Sequence, residues 1–142
     1  MKALIDTNVL IDFLAIREPF FADADRIITA CRDMTFQGCI AAHSVPDCFY
    51  LLRKNPLDER RIIIKSLCQT FDIVGLDSDK ISAALDNYDF KDFEDCLQSE
   101  CAVDYGADYI VTRNTKDFDN SKVKAITPAE FLQLLSPNNE EQ

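Results

Sequence analysis

Short apolar runs alternate along this chain with longer stretches in which apolar residues recur every three or four positions. Ala3-Leu4-Ile5 is such a run and reads as a buried strand ending at Asp6. Val9 to Ala15 suggests a helix. After Pro19, the positions Phe20, Ala24, Ile27, Ile28 and Cys31 fall on one face of a second helix. Gly38-Cys39-Ile40-Ala41-Ala42 reads as the next strand. Ser44-Val45-Pro46-Asp47 then looks like a helix start, with Ser44 as N-cap and Pro46 in the first turn, and Asn55-Pro56 breaks that helix. Ile63, Ile64, Leu67 and Cys68 mark another apolar helical face ahead of a third strand, Phe71-Asp72-Ile73-Val74.

The second half keeps the same rhythm. Ile81, Ala84, Leu85 and Tyr88 mark a helix. Asp92 to Tyr105 forms the next, with Phe93, Cys96, Leu97 and Cys101 on one side and Gly106 as its stop. Tyr109-Ile110-Val111-Thr112 and Val123-Lys124-Ala125-Ile126 read as the fourth and fifth strands. Thr127-Pro128-Ala129-Glu130 is a capping box with Pro at the first helical position, opening a last helix through Phe131, Leu132 and Leu135. Apolar strands alternating with amphipathic helices predict an α/β fold with a mainly parallel central sheet of about four to five strands. No repeat or linker interrupts the pattern, so residues 1–135 are expected to form a single domain and 136–142 a flexible tail. In such sheets function gathers at the carboxyl ends of the strands, near the point where strand order reverses.

Composition narrows the class. The 142 residues include 25 Asp plus Glu against 15 Lys plus Arg and a single His, a formal charge of −10. The apolar share of 47% and charged share of 28% fit a globular protein rather than a disordered one. No apolar run approaches the ~20 residues of a membrane span. The opening residues meet an acid at Asp6, unlike a secretory signal, which points to the cytoplasm. The six cysteines contain no CxxC pair, and with one His they supply no zinc-finger set. In that compartment they read as small buried hydrophobes, not as disulfides or nucleophiles. A strongly acidic chain argues at first against nucleic acid, since phosphate affinity comes from Lys and Arg.

The acids fall where an α/β sheet places its chemistry. Asp6 ends the first strand, and Asp47 lies in the helical turn after the second. Asp92 and Asp95 begin the helix leading into the fourth strand, and Asp117 follows that strand. Carboxylates gathered in one cleft repel one another unless a cation joins them. Oxygen donors without His or Cys suit Mg²⁺ or Mn²⁺ rather than zinc. Such a site supports metal-assisted hydrolysis of a phosphodiester. Each acid also has a purely structural reading. Asp6 would accept backbone N–H bonds in its turn, and Asp47 would be the acid half of a capping box with Ser44. Asp92 would be an N-cap with Asp95 at its N3 position, and Asp117 an ordinary turn residue. Spacing alone leaves both readings open.

Three motifs in order add a resemblance. Leu4-Ile5-Asp6-Thr7-Asn8-Val9-Leu10 resembles the first motif of PIN-domain ribonucleases. Asp92-Phe93-Glu94-Asp95-Cys96-Leu97-Gln98, followed by Gly106 through Phe118, is similar to that family's second half, and Ile126 through Leu132 to its end. The likeness spans nearly the whole chain, at the length of a stand-alone VapC-like toxin; from Asn8 to Phe71 it holds only in outline. It implies a three-layer α/β/α domain and a Mg²⁺- or Mn²⁺-dependent endoribonuclease, the toxin of a toxin–antitoxin pair. It also implies a small antitoxin partner and a homodimer. Residue by residue, it makes Asp6, Asp95 and Asp117 metal-binding acids, and Asn8, Thr112 and Asn114 groups that orient them through hydrogen bonds. Asp47 occupies a catalytic position where many members carry Glu. The shorter side chain there leaves room for an intervening water. Asp92 is an extra acid able to substitute or assist.

Basic residues cluster locally. Arg53, Lys54, Arg60, Arg61 and Lys65 share one stretch, a candidate track for an RNA backbone, with Arg113 and Lys116 nearer the acids. A solvated helix face is the competing reading. Phe13, Tyr50 and Phe118 are candidates to stack bases, and His43 reads as a polar strand-end residue rather than a catalyst. Two rivals stand beside the nuclease. One is a silent PIN scaffold, inactivated by the change at Asp47 and kept for RNA or protein binding. The other, ranked last, is a phospho-receiver domain, for which Asp6-Thr7-Asn8 lacks the required acidic pair.

Overall fold

A computed structural model describes residues 1–136; the tail expected over 136–142 therefore lies, but for Ser136, outside the described residues. The strands are β1 (Lys2–Ile5), β2 (Gln37–Ala41), β3 (Asp72–Val74), β4 (Tyr109–Val111) and β5 (Lys124–Ile126). The helices are α1 (Thr7–Leu14), α2 (Phe21–Arg32), α3 (Ser44–Leu51), α4 (Leu57–Thr70), α5 (Ser78–Asp86), α6 (Phe93–Tyr105) and α7 (Pro128–Leu135), and a 3₁₀ turn covers Thr115–Phe118. All strand pairings are parallel, in the order β3-β2-β1-β4-β5. From β1 the chain winds outward through β2 and β3, then returns to the other side of β1 for β4 and β5. Strand order thus reverses between β1 and β4.

Period-two alternation sorts the sheet's side chains into two cores. Ala3, Ile5, Ile40, Val111 and Ile126 face one side and pack with Val9, Leu10, Ile27, Ile28, Ile64, Leu67 and Phe131. Leu4, Cys39, Ala41 and Ile110 face the other and pack with Cys101, Ala102 and Phe118. Helices α1, α2, α3, α4 and α7 cover the first face, and α6 the second. The result is the expected three layers. No helix among the described residues is long and apolar enough to cross a membrane.

Several local expectations hold for the physical reasons given. Asp92 caps α6 by accepting the Asp95 N–H at 3.0 Å, and Gly106 ends it in the left-handed region at φ 73°. Thr127 and Glu130 close a full capping box around Pro128. All six cysteines are free; Cys68 is half-buried and the others are buried.

Others are corrected. Ser44 is the first residue of α3, not its cap; His43 takes the cap position, with no side-chain capping bond. Buried Ser44 instead turns its hydroxyl toward Thr7, so Asp47 has no capping box to complete. Phe118 is 2% exposed and belongs to the core, so it cannot stack bases, and half-buried Phe13 is stacked on Phe21. Phe20 and Phe93, expected on apolar faces, lie at helix starts and remain exposed. Helix α5 buries only Ala84 of its expected face, and Tyr88 lies beyond its end.

Candidate active site

Asp6 leaves β1 beside the β1–β4 crossing, with its N–H bonded to the Val111 carbonyl at 3.0 Å. Its backbone carbonyl opens α1 by accepting the Val9 N–H, but its carboxylate makes no capping bond. The carboxylate instead reaches across the crossing. Thr112 Oγ1 donates to Asp6 Oδ2 at 2.8 Å, and Gln98 Nε2 donates to Oδ1 at 3.2 Å. Burial raises the Asp6 carboxyl above its ordinary range, and the Thr112 hydroxyl opposes that shift.

Gln98 ties three elements together. Its Nε2 also lies 2.8 Å from Thr7 Oγ1 and 3.3 Å from Ser44 Oγ, and those two hydroxyls are 2.6 Å apart. One amide thus fixes the starts of α1 and α3 against α6. Its Oε1 is buried and, among the described residues, has no hydrogen-bond partner, although Gln98 lines the cleft beside Asp6 and Asp95. A buried acceptor left open at a polar cleft is a place for a proton donor such as an ordered water.

Two hollows meet at Asp95. One, of about 400 Å³, is lined by Asp6, Asp47, Tyr50, Arg53, Glu94 and Gln98 as well as Asp95. The other, of about 360 Å³, adds Asp92, Lys116 and Asp117. Burial pushes the Asp95 carboxyl up to about 7, and the charges of Asp92, Asp6, Asp117 and Glu94 push it the same way. The charges of Asp6, Asp92 and Asp117 therefore converge on Asp95 at one edge of the sheet. Asp47 shares the first hollow but is exposed and outside that set. Among the described residues, no three His, Cys, Asp or Glu side chains draw close enough to form a metal-holding group as they stand. Mutual repulsion keeps uncompensated carboxylates apart.

The other expected positions divide. Asn8 and Thr112 join Asp6 in a relay: Asn8 Nδ2 donates to Thr112 Oγ1 at 3.2 Å, and Thr112 donates onward. Asn114 contributes only its backbone N–H, to Thr112 Oγ1; its side chain lines a separate hollow with Phe20 and Arg113. Arg53 stands over the Tyr50 ring at the acidic hollow, and Lys54, Arg61 and Lys65 are exposed. Arg60 lies over Phe49, its Nε buried without a partner. Arg113 is not a free cation. Its Nε and Nη2 bond the two oxygens of Asp12, 1% exposed, at 2.6 and 3.2 Å.

Sequence reasoning missed Gln98, Thr7, Ser44 and Asp12 as parts of this edge. A weak signal existed for two of them. Gln98 and Asp12 are polar positions inside otherwise apolar helical faces, where burial demands a partner.

The family model for the PIN domain matches residues 2–116. No curated protein sequence matches the chain. Among solved structures, the chain is similar to one in a toxin–antitoxin complex from Klebsiella pneumoniae, at 24% identity over 89% of this chain and 97% of that one, with a TM-score of 0.67. FitAcB from Neisseria gonorrhoeae matches at 15% identity, 89% and 98% coverage and a TM-score of 0.67. VapC20 of Mycobacterium tuberculosis, a sarcin–ricin loop cleaving toxin, matches at 12% identity, 76% and 86% coverage and a TM-score of 0.60. At these identities the structural likeness is one of fold. The strand order, the acid-lined crossing of β1 and β4, and the family match over residues 2–116 agree: the chain belongs to the PIN domain family.

Proposed function

We propose that this protein is a divalent-metal-dependent endoribonuclease and the toxin of a toxin–antitoxin pair. The observation that carries the reading is the convergence of Asp6, Asp92 and Asp117 on the two hollows that meet at Asp95, whose carboxyl is pushed up to about 7 by burial and its neighbours. Acids so placed destabilise one another's charged forms and gain most from a cation. The donor set fits a hard ion: carboxylate oxygens and the open Gln98 Oε1, in two hollows whose linings include no His or Cys. Asp6, Asp95 and Asp117 would hold Mg²⁺ or Mn²⁺, with Asp47 and Asp92 assisting. When bound, the ion supplies charge neutralisation at the phosphate and a more acidic water.

The chain's own residues do the positioning. Thr112 and Gln98 fix both oxygens of Asp6, and Asn8 holds Thr112 in turn. Asp92 anchors the Asp95 backbone. Arg53, at the hollow's rim over Tyr50, leads from the acids toward the exposed Lys54 and Arg61, a path for an RNA backbone. The partner reading draws on the toxin–antitoxin complex from Klebsiella pneumoniae among the structural neighbours. An apolar groove of about 330 Å³, lined by Phe13, Leu14, Ile28, Ile62, Ile63 and Leu67, would seat an antitoxin segment.

The test incubates the purified chain with single-stranded RNA and Mn²⁺. Cleavage is expected, leaving 5′-phosphate and 3′-hydroxyl ends, and is abolished by chelator, Asp6→Asn or Asp95→Asn. Cleavage that persists in excess chelator, or cyclic phosphate ends, would overturn the mechanism. The exposed, shortened Asp47 favours one second reading, a silent scaffold that binds RNA or protein. Titration with Mn²⁺ separates the two, because a silent scaffold takes up no ion at these acids.

A further inference from the structure

A third hollow, of about 340 Å³, opens at the same edge of the sheet, beyond the ends of β4 and β5. Pro19, Phe20, Arg113, Asn114 and Pro128 form its walls, with Asp23 from the first turn of α2. We propose that this hollow receives an unpaired nucleobase of the RNA, next to the phosphodiester that is cleaved. The proposal rests on the ribonuclease reading and extends it from bond cleavage to substrate selection.

The walls suit a flat aromatic ligand. Phe20, just ahead of α2, is 41% exposed, and the Arg113 guanidinium lies 4.1 Å from its ring centroid. Two bonds to Asp12 hold that guanidinium in one plane. A fixed guanidinium beside an aromatic ring and two prolines is a stacking platform for a base.

Charge argues for the base rather than the phosphate. Buried Asp12 already neutralises Arg113, and the Asp23 carboxylate in the same hollow repels an anion. What remains is directional. Arg113 uses two of its N–H groups on Asp12 and keeps the others of its five. Among the described residues, the Asn114 side-chain amide makes no hydrogen bond. Guanidinium donors beside a carboxylate acceptor complement guanine, which offers O6 and N7 as acceptors and its N1–H and amino group as donors. The hollow is tied to Asp6 through the chain. Arg113 directly follows Thr112, which holds Asp6, and its backbone N–H reaches Asn8 Oδ1 at 3.5 Å.

The test titrates guanosine 5′-monophosphate and, separately, ribose 5-phosphate onto the full chain, followed by the NMR signals of the Arg113 Nε–H and the Asn114 amide. The nucleotide is expected to shift both signals, and ribose 5-phosphate neither. Phe20→Ala should weaken nucleotide binding by roughly tenfold, and Phe20→Trp should restore it. In cleavage of a randomised single-stranded RNA pool with Mn²⁺, Phe20→Ala should flatten the preference for guanine beside the cut. Equal shifts from ribose 5-phosphate, or unchanged binding in Phe20→Ala, would overturn the base site. A wild type that cleaves nothing would defeat the ribonuclease reading instead, and the nucleotide titration would still decide the hollow.

Discussion

Gln98 Nε2 lies 3.2 Å from Asp6 Oδ1, a bond between residues 92 positions apart, and the same nitrogen reaches the hydroxyls of Thr7 and Ser44. Buried at 2% exposure, Gln98 joins the first acid to the start of α3. Gln98→Ala takes one hydrogen bond from the buried Asp6 carboxylate and one from each of two hydroxyls, so it should cost about 1–3 kcal/mol in urea denaturation. Because Asp6 loses its orientation, kcat/KM on RNA should fall by about 10–100-fold. A drop in stability with unchanged turnover would make Gln98 a structural clamp alone.

The shifted acids set a pH dependence with a definite sign. Asp95 titrates at about 7 in the fold against an ordinary 3.8, and Asp6 is displaced in the same direction. Between those values the folded chain keeps a proton that the unfolded chain has released, so stability falls as pH rises through the window. Thermal unfolding without added metal should show Tm declining from about pH 4 to about pH 7 through this contribution, and levelling above it. Asp95→Asn should flatten the slope. Mn²⁺ competes with that proton, so its stabilising shift should be larger near pH 8 than near pH 5. An equal Mn²⁺ shift at both pH values would separate metal binding from these acids.

The strands and the acids that follow them were legible because both depend on local order: period-two alternation, and a carboxylate directly after an apolar run. The strand reversal between β1 and β4 then brought Asp6 beside Thr112 without any further instruction. What stayed hidden depends on distant partners. Ser44 carries a good N-cap signature, yet its hydroxyl is taken by Thr7 and Gln98, and tertiary bonding outweighs capping. Asp12 sits in an apolar helix and is buried only because Arg113, 101 residues later, reaches it. Arg113 looked like a phosphate binder for the same reason: a sequence shows a charge but not its counter-charge.

That pair has an asymmetric consequence. Arg113 is 25% exposed in its side chain and Asp12 1%. Removing the arginine leaves a bare carboxylate in the core, so Arg113→Ala should cost about 3–5 kcal/mol. Asp12→Asn lets the guanidinium turn toward water and should cost less, about 1.5–3 kcal/mol. Equal costs for the two variants in chemical denaturation would show that the Asp12 charge is not what the arginine relieves.

His43 poses the opposite problem. It closes the turn after β2 near Asp6, yet both ring nitrogens are buried and, among the described residues, neither has a hydrogen-bond partner. A general acid or base must reach its proton by hydrogen bond or through one water, and nothing bonds this ring to the acids. An unpaired buried polar group costs stability, and an apolar side chain of similar size removes that cost. His43→Phe should therefore raise stability by about 1 kcal/mol and keep most of the cleavage. Loss of cleavage as severe as that of Asp6→Asn, in a variant that unfolds no earlier than the wild type, would place His43 in the chemistry after all.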